Sequence, residues 1–108
     1  IDRCIAVLQG AGIVLALPRG SVTLTPDDPA ACCFAGEDAP ACRLVAGPTR
    51  DLNLMVHRGA GRAVMQRAPL ANLNWLWRGV YVEGTLVWTS DATATLPAGA
   101  WHLGLERA

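Results

Sequence analysis

The sequence predicts an all-β fold, and three observations predict it. Short apolar runs are punctuated by Gly and Pro along the chain, the pattern of strands joined by tight turns. The segment Asp51–His57 alternates, with Leu52, Leu54 and Val56 on one face and Asp51, Asn53, Met55 and His57 on the other. No window of helical length carries a sustained apolar stripe. The Ala-rich stretch Ala30–Ala46 is interrupted by Pro and Gly, so helix cannot propagate there. About ten short strands with such turns point to a sandwich or a barrel.

Taken in order, Arg3–Leu8 is strand-like and breaks at Gln9-Gly10-Ala11-Gly12. Ile13–Leu17 turns at Pro18-Arg19-Gly20 and returns as Ser21–Thr25. Pro26-Asp27-Asp28-Pro29 cannot continue a central strand, because two prolines remove ladder donors. Cys32–Phe34 is a short strand or bend before Gly36-Glu37-Asp38, and Cys42–Ala46 is strand-like up to Gly47-Pro48. After Asp51–His57, Gly59-Ala60-Gly61 turns the chain into Arg62–Gln66. The remaining expected strands are Leu73–Arg78, Gly79–Val82, Thr85–Trp88, Ala92–Leu96 and Trp101–Glu106.

The chain has 108 residues, enough for one small domain or part of one. Nine arginines and no lysine balance nine acidic residues, so the formal charge is zero. That argues against nucleic acid or a polybasic membrane contact. Eighteen alanines accompany the arginines, so compositional bias explains the missing lysines. At 52% hydrophobic and 17% charged the chain can build a core. Its longest apolar run, around Ile13–Leu17, falls far short of the ~18 residues of a membrane span. The chain opens on Ile1 in the middle of a strand-like pattern, so its start reads as a cut. Cys4, Cys32, Cys33 and Cys42 form no C-x-x-C and read as reduced cytoplasmic thiols filling the core. Cys32 and Cys33 would point to opposite faces of an extended chain.

The C-terminal third resembles a cupin. Val80-Tyr81-Val82-Glu83-Gly84-Thr85-Leu86 looks like the hairpin that crosses the cupin barrel. In the run Asp91 to His102, Pro97, Gly99 and His102 match the second cupin motif. Asp91 replaces its opening Gly, and Glu106 its closing Asn. Counting back from Gly84 puts Leu70, Asn72 and Trp77 where the first motif has its two His and its Glu. A lone His102 does not hold a divalent cation, so it is a weak metal candidate beside its simpler reading as an ordinary strand residue.

The middle of the chain carries a more specific pattern. Gly47-Pro48-Thr49-Arg50-Asp51-Leu52-Asn53-Leu54-Met55-Val56-His57-Arg58-Gly59 closely resembles the signature of the HutD/Ves family. Ile1-Asp2-Arg3-Cys4 with Gly10-Ala11-Gly12 is similar to that family's early strand and turn. Phe34-Ala35-Gly36-Glu37 is similar to its Phe-x-Gly-(Asp/Glu) element. The resemblance runs from Ile1 to His102, and His57 departs from it where many members have Arg.

The resemblance implies a cupin-like β-barrel, an RmlC-like jelly roll, in a protein with two linked barrels. On that expectation the chain is a single unit over 1–108, incomplete at its N-terminus and the C-terminal portion of a bicupin. Residues 1–66 would complete a first barrel, and 67–108 would supply strands of the second. The resemblance also implies a non-catalytic role in the control of histidine utilisation, with a small carboxylate as ligand, such as urocanate or a formylated intermediate.

The residues themselves support an anion pocket. The polar face of Asp51–His57 is bracketed by Arg50 and Arg58. Lining a barrel lumen, Asn53 would donate an amide hydrogen and Arg58 would fork onto a carboxylate. A solvated polar face with arginines at the strand ends is the plainer alternative. The candidate ligand-binding residues are Asn53 and Arg58, then Asp51, Arg50, Phe34 and His57. Phe34 would wall the pocket or plug its end. Trp75 and Trp77, expected on one face, read as core filling, with indole stacking on an imidazole ring as the functional alternative.

No G-x-S-x-G elbow is present. No cofactor is implied. The expected partner is a small anionic metabolite, with neither nucleic acid nor membrane. Two other classes stay open: a homodimeric interaction module, and a metal-dependent cupin isomerase or dioxygenase with ligands N-terminal to Ile1.

Overall fold

The run Cys4-Ile5-Ala6-Val7 is apolar at every position, which a half-buried strand does not need. The fold, a computed structural model describing residues 1–71, 74–82 and 84–107, gives the reason. Strand β1 (Asp2–Gln9) is the middle strand of a middle sheet, and both its faces are covered.

Nine more strands follow: β2 (Ile13–Leu17), β3 (Gly20–Leu24), β4 (Cys32–Ala35), β5 (Ala41–Leu44), β6 (Arg50–Val56), β7 (Arg62–Gln66), β8 (Trp75–Val82), β9 (Thr85–Thr89) and β10 (Trp101–Glu106). A 3-10 turn at Gly36–Asp38 separates β4 from β5. The strands form three antiparallel sheets, ordered β4-β1-β6, β7-β10-β8-β9 and β3-β2-β5. The described residues are thus all-β, and none of the sheets closes on itself. Strand β7 pairs with β10, across the 66/67 position.

The period-2 alternation divides the core. Cys4 and Ala6 of β1, with Leu54 and Val56 of β6, pack against Met65, Trp101, Leu103 and Leu105. Ile5 and Val7, with Cys32 and Phe34 of β4, pack against Ile13, Leu15, Leu17 and Leu24. Each large side chain removed from water in this way contributes about 1.5–3 kcal/mol.

Four expectations are corrected. Cys4 and Cys33 are not reduced thiols: they stand opposite each other on β1 and β4 and are disulfide-bonded. Cys32 and Cys42 are free, the first buried and the second exposed. Leu73–Arg78 and Gly79–Val82 are not two strands, because β8 runs unbroken through Gly79. The missing side chain there leaves room for Leu103 and Leu86, whose Cδ1 atoms a Cβ would meet at 3.0 and 3.2 Å.

Ala92–Leu96 is not a strand. Asp91 accepts from the Thr93 amide (2.9 Å) and hydroxyl (2.7 Å), folding a turn, and Arg78 takes the Asp91 and Ala94 carbonyls. Trp75 and Trp77 do not share an environment. A register shift between Leu105 and Glu106 sets Trp75 against Gly104, while Trp77 packs on the Leu103–Leu105 side. Asn72, Leu73 and Glu83, used above for a motif ligand, a strand start and the hairpin, lie outside the described residues.

Candidate ligand-binding site

On β6, side chains 52, 54 and 56 face the core, so 51, 53 and 55 face the other way. The register places Asn53 opposite Ile5 and Met55 opposite Arg3, and Arg3 opposite Phe34 on β4. Residues directly opposite share a face. Arg3, Ile5, Phe34, Asp51 and Asn53 therefore collect on one side of the middle sheet, the side that meets β2 and β5.

There the side chains form a connected array. The Arg3 guanidinium lies over the Phe34 ring, 5.4 Å from its centroid, and donates to Asn53 Oδ1 at 3.0 Å. Asn53 Nδ2 donates to Asp51 Oδ2 at 2.7 Å. Beside the array a cleft of about 190 Å³ opens between the two sheets. Its floor is apolar, from Ile5, Ile13 and Leu15, and its rim carries Arg3, Asp51 and the exposed Cys42. No carboxylate forms an ion pair with Arg3 among the described residues. Its Nε is buried and has no hydrogen-bond partner among the described residues. The array holds a cation in place with a neutral amide, which leaves its charge available to an anion.

Of the residues the sequence singles out, the structure brings together Phe34, Asp51 and Asn53. Phe34 is buried and walls the cleft. Arg50 lies elsewhere, reaching Gln9 (3.5 Å) and the Tyr81 hydroxyl (3.2 Å). His57 is exposed just past the end of β6.

Arg58 is a clamp: its Nη1 and Nη2 hold Glu37 at 2.5 and 2.6 Å, its Nε holds Asp2 at 3.0 Å, and Nη2 also reaches the Ile1 carbonyl. The guanidinium beside Glu37 holds that carboxyl at about 2, and the two carboxylates raise the Arg58 pKa. Its fork is thus occupied by this chain's own acids. Arg3 is the residue sequence reasoning missed. Arg3 alternates with Ile5 and Val7, but Cys4 and Ala6 are apolar as well, so the pattern alone does not tell which face an arginine at position 3 takes.

His102 lies outside this cleft. It lines a separate cavity with Arg67 and Arg78, and burial lowers its pKa. Two guanidinium groups are poor company for a metal ion, and Leu70 and Trp77 offer no donor, so these residues do not fit a cupin metal. No group of three or more His, Cys, Asp or Glu suited to a metal occurs among the described residues. No helix is long and apolar enough to cross a membrane among them.

No curated protein and no solved structure matches the chain. The sequence model of one family, HutD, matches residues 1–102, which contain the whole Phe34–Arg3–Asn53–Asp51 array. The match spans nearly the full chain, and the chain belongs to the HutD family.

Proposed function

We propose that the chain binds a small carboxylate in the cleft between the β4-β1-β6 and β3-β2-β5 sheets, with Arg3 as its anion receptor. One observation carries this: an arginine fixed by an aromatic ring and a neutral amide, beside an apolar-floored cleft, with no ion pair to neutralise it among the described residues. Asn53 positions Arg3 and Asp51 orients Asn53. A planar body such as that of urocanate lies on Ile5, Ile13 and Leu15, with its carboxylate toward Arg3. A formylated intermediate presents the same charge on a more flexible chain.

Membership of the HutD family supports the wider reading. In it, binding is non-catalytic and regulates histidine utilisation in the cytoplasm, and the chain is one portion of a two-barrel cupin jelly roll. The Cys4–Cys33 bridge is the observation that opposes a cytoplasmic site, because mesophile cytosol keeps thiols reduced.

Calorimetry with urocanate, formate and N-formylglutamate tests the binding. Saturable heat with one of them is expected, and no heat at millimolar ligand removes the proposal. A second readout is local: bound ligand should slow alkylation of Cys42 on the cleft rim. Unchanged labelling at saturation would place the ligand elsewhere.

A second reading has one observation in its favour. Trp88 is 64% exposed and Leu86 50%, and together with Trp77 they line an apolar recess on the β8-β9 edge. In the interaction-module reading a second copy of this chain covers it. Light scattering that shows a monomer would remove that reading.

A further inference from the structure

A larger cavity, about 560 Å³, lies on the other face of β8 and β10 from the core, beneath the loop that joins β9 to β10. Its volume falls within the roughly 300–1,000 Å³ range of small-molecule sites. Trp101, Leu103 and Leu105 point into the core, so His102 points the opposite way and lines the cavity. The loop is held down at defined points. The Ala100 amide donates to the Tyr81 carbonyl at 3.0 Å, and Arg78 Nη2 donates to the Asp91 and Ala94 carbonyls at 3.0 and 2.5 Å. Gly99 lets the loop approach: a Cβ there would lie 2.6 Å from the Tyr81 carbonyl oxygen.

Two arginines line this cavity, and both are held by neutral groups. Arg78 is bound to the loop carbonyls just described. Arg67 donates to the carbonyls of Asp28 (3.1 Å) and Pro26 and lies over the Trp101 ring, 5.0 Å from its centroid. Neither forms an ion pair among the described residues. Burial lowers the His102 pKa, and the His102 ring offers a hydrogen-bonding group on the cavity wall. The walls between are apolar, from Leu70, Leu96 and Pro97. Asp91 lies near enough to Arg78 to feel its charge but forms no ion pair with it. A concave, partly desolvated space with two guanidinium groups outside any ion pair among the described residues favours an anion, and apolar walls favour one with a hydrocarbon body.

We propose that this cavity is a second anion site, separate from the Arg3 cleft, that takes a small organic carboxylate between Arg67 and Arg78 with its apolar part against Leu96 and Pro97. The probes are glutarate and inorganic phosphate, titrated into the full chain while NMR follows the His102 ring and the Arg78 Nε–H. Glutarate should shift both signals saturably, and Arg3→Ala should leave that affinity unchanged. Ala98→Glu adds a negative charge on an exposed wall residue without disturbing either arginine. It should weaken glutarate by at least about 10-fold, or 1.4 kcal/mol.

No saturable shift by about 10 mM glutarate would overturn the site. So would loss of the shift in Arg3→Ala, or full affinity in Ala98→Glu. Phosphate binding as tightly as glutarate would overturn the organic-carboxylate assignment, since the walls would then contribute nothing. Failure of urocanate at the Arg3 cleft touches none of these outcomes.

Discussion

Arg3 stands at the start of β1 and Arg58 holds its neighbour Asp2, yet the two positive charges meet different partners. Arg58 grips Asp2 and Glu37, so its charge is cancelled within the scaffold. Among the described residues Arg3 grips the Asn53 amide and the Phe34 ring and no carboxylate. The same contrast separates Arg62, paired with Glu106, from Arg67 and Arg78, which rest on backbone carbonyls. An arginine held by acids fastens two pieces of chain. One held by neutral acceptors is fixed in space and still has its charge to offer. On this criterion the arginines of the two proposed sites keep their charge for an anion, and Arg58 does not.

The largest expected effect concerns the pair of strands that carries Arg3 opposite Phe34. Reducing the Cys4–Cys33 bridge frees a loop of 29 residues' separation and should cost about 3–4 kcal/mol on the chain-entropy account, read as a drop in melting temperature. Thiol titration of the unfolded, unreduced chain should find two free cysteines; four would remove the bridge. Next, Gly99→Ala should cost about 1–3 kcal/mol, because a Cβ cannot fit beneath the loop. It should alter glutarate binding while leaving the Arg3 cleft untouched. Equal loss at both sites would mean that the two cavities are not independent.

A smaller effect is expected at Asn53. Asn53→Ala should lower carboxylate affinity by about 3- to 10-fold, the worth of one net hydrogen bond that positions Arg3. The smallest belongs to the Arg58 corner. Glu37 titrates at about 2 against an ordinary 4.5, because Arg58 stabilises its charged form. A lowered pKa adds stability that is complete above 4.5 and is lost as the pH falls toward 2. Both partners are exposed, so Glu37→Gln should lower the melting temperature only slightly at neutral pH, and less in high salt. The difference from the unchanged chain should vanish near pH 2.

Much of the fold was legible because period-2 patterning and Gly/Pro breaks are local. Asp51–His57 divided its faces as its alternation predicts, and Ile13–Leu17 and Arg62–Gln66 kept their bounds. The failures came from partners distant in sequence. Ala92–Leu96 has strand composition, but Asp91 and Arg78 take the groups a ladder would use. Gly79 looked like a break until Leu103 and Leu86 filled its space.

At the site, Phe34, Asp51 and Asn53 could be named from the family pattern, and the register brought them together. Arg58 has the same pattern support, but its carboxylate partners, Asp2 and Glu37, are 56 and 21 residues away and no spacing reveals them. Arg3 was hidden because nothing local distinguishes an inward arginine at a strand start from an outward one.

The most direct test titrates urocanate into Arg3→Ala and Arg58→Ala side by side by calorimetry, with both variants first shown to be folded. The account predicts that Arg3→Ala loses at least about 10-fold in affinity, as removal of a charge-assisted hydrogen bond requires, while Arg58→Ala binds as the unchanged chain does. Retained binding in Arg3→Ala together with loss in Arg58→Ala would contradict it.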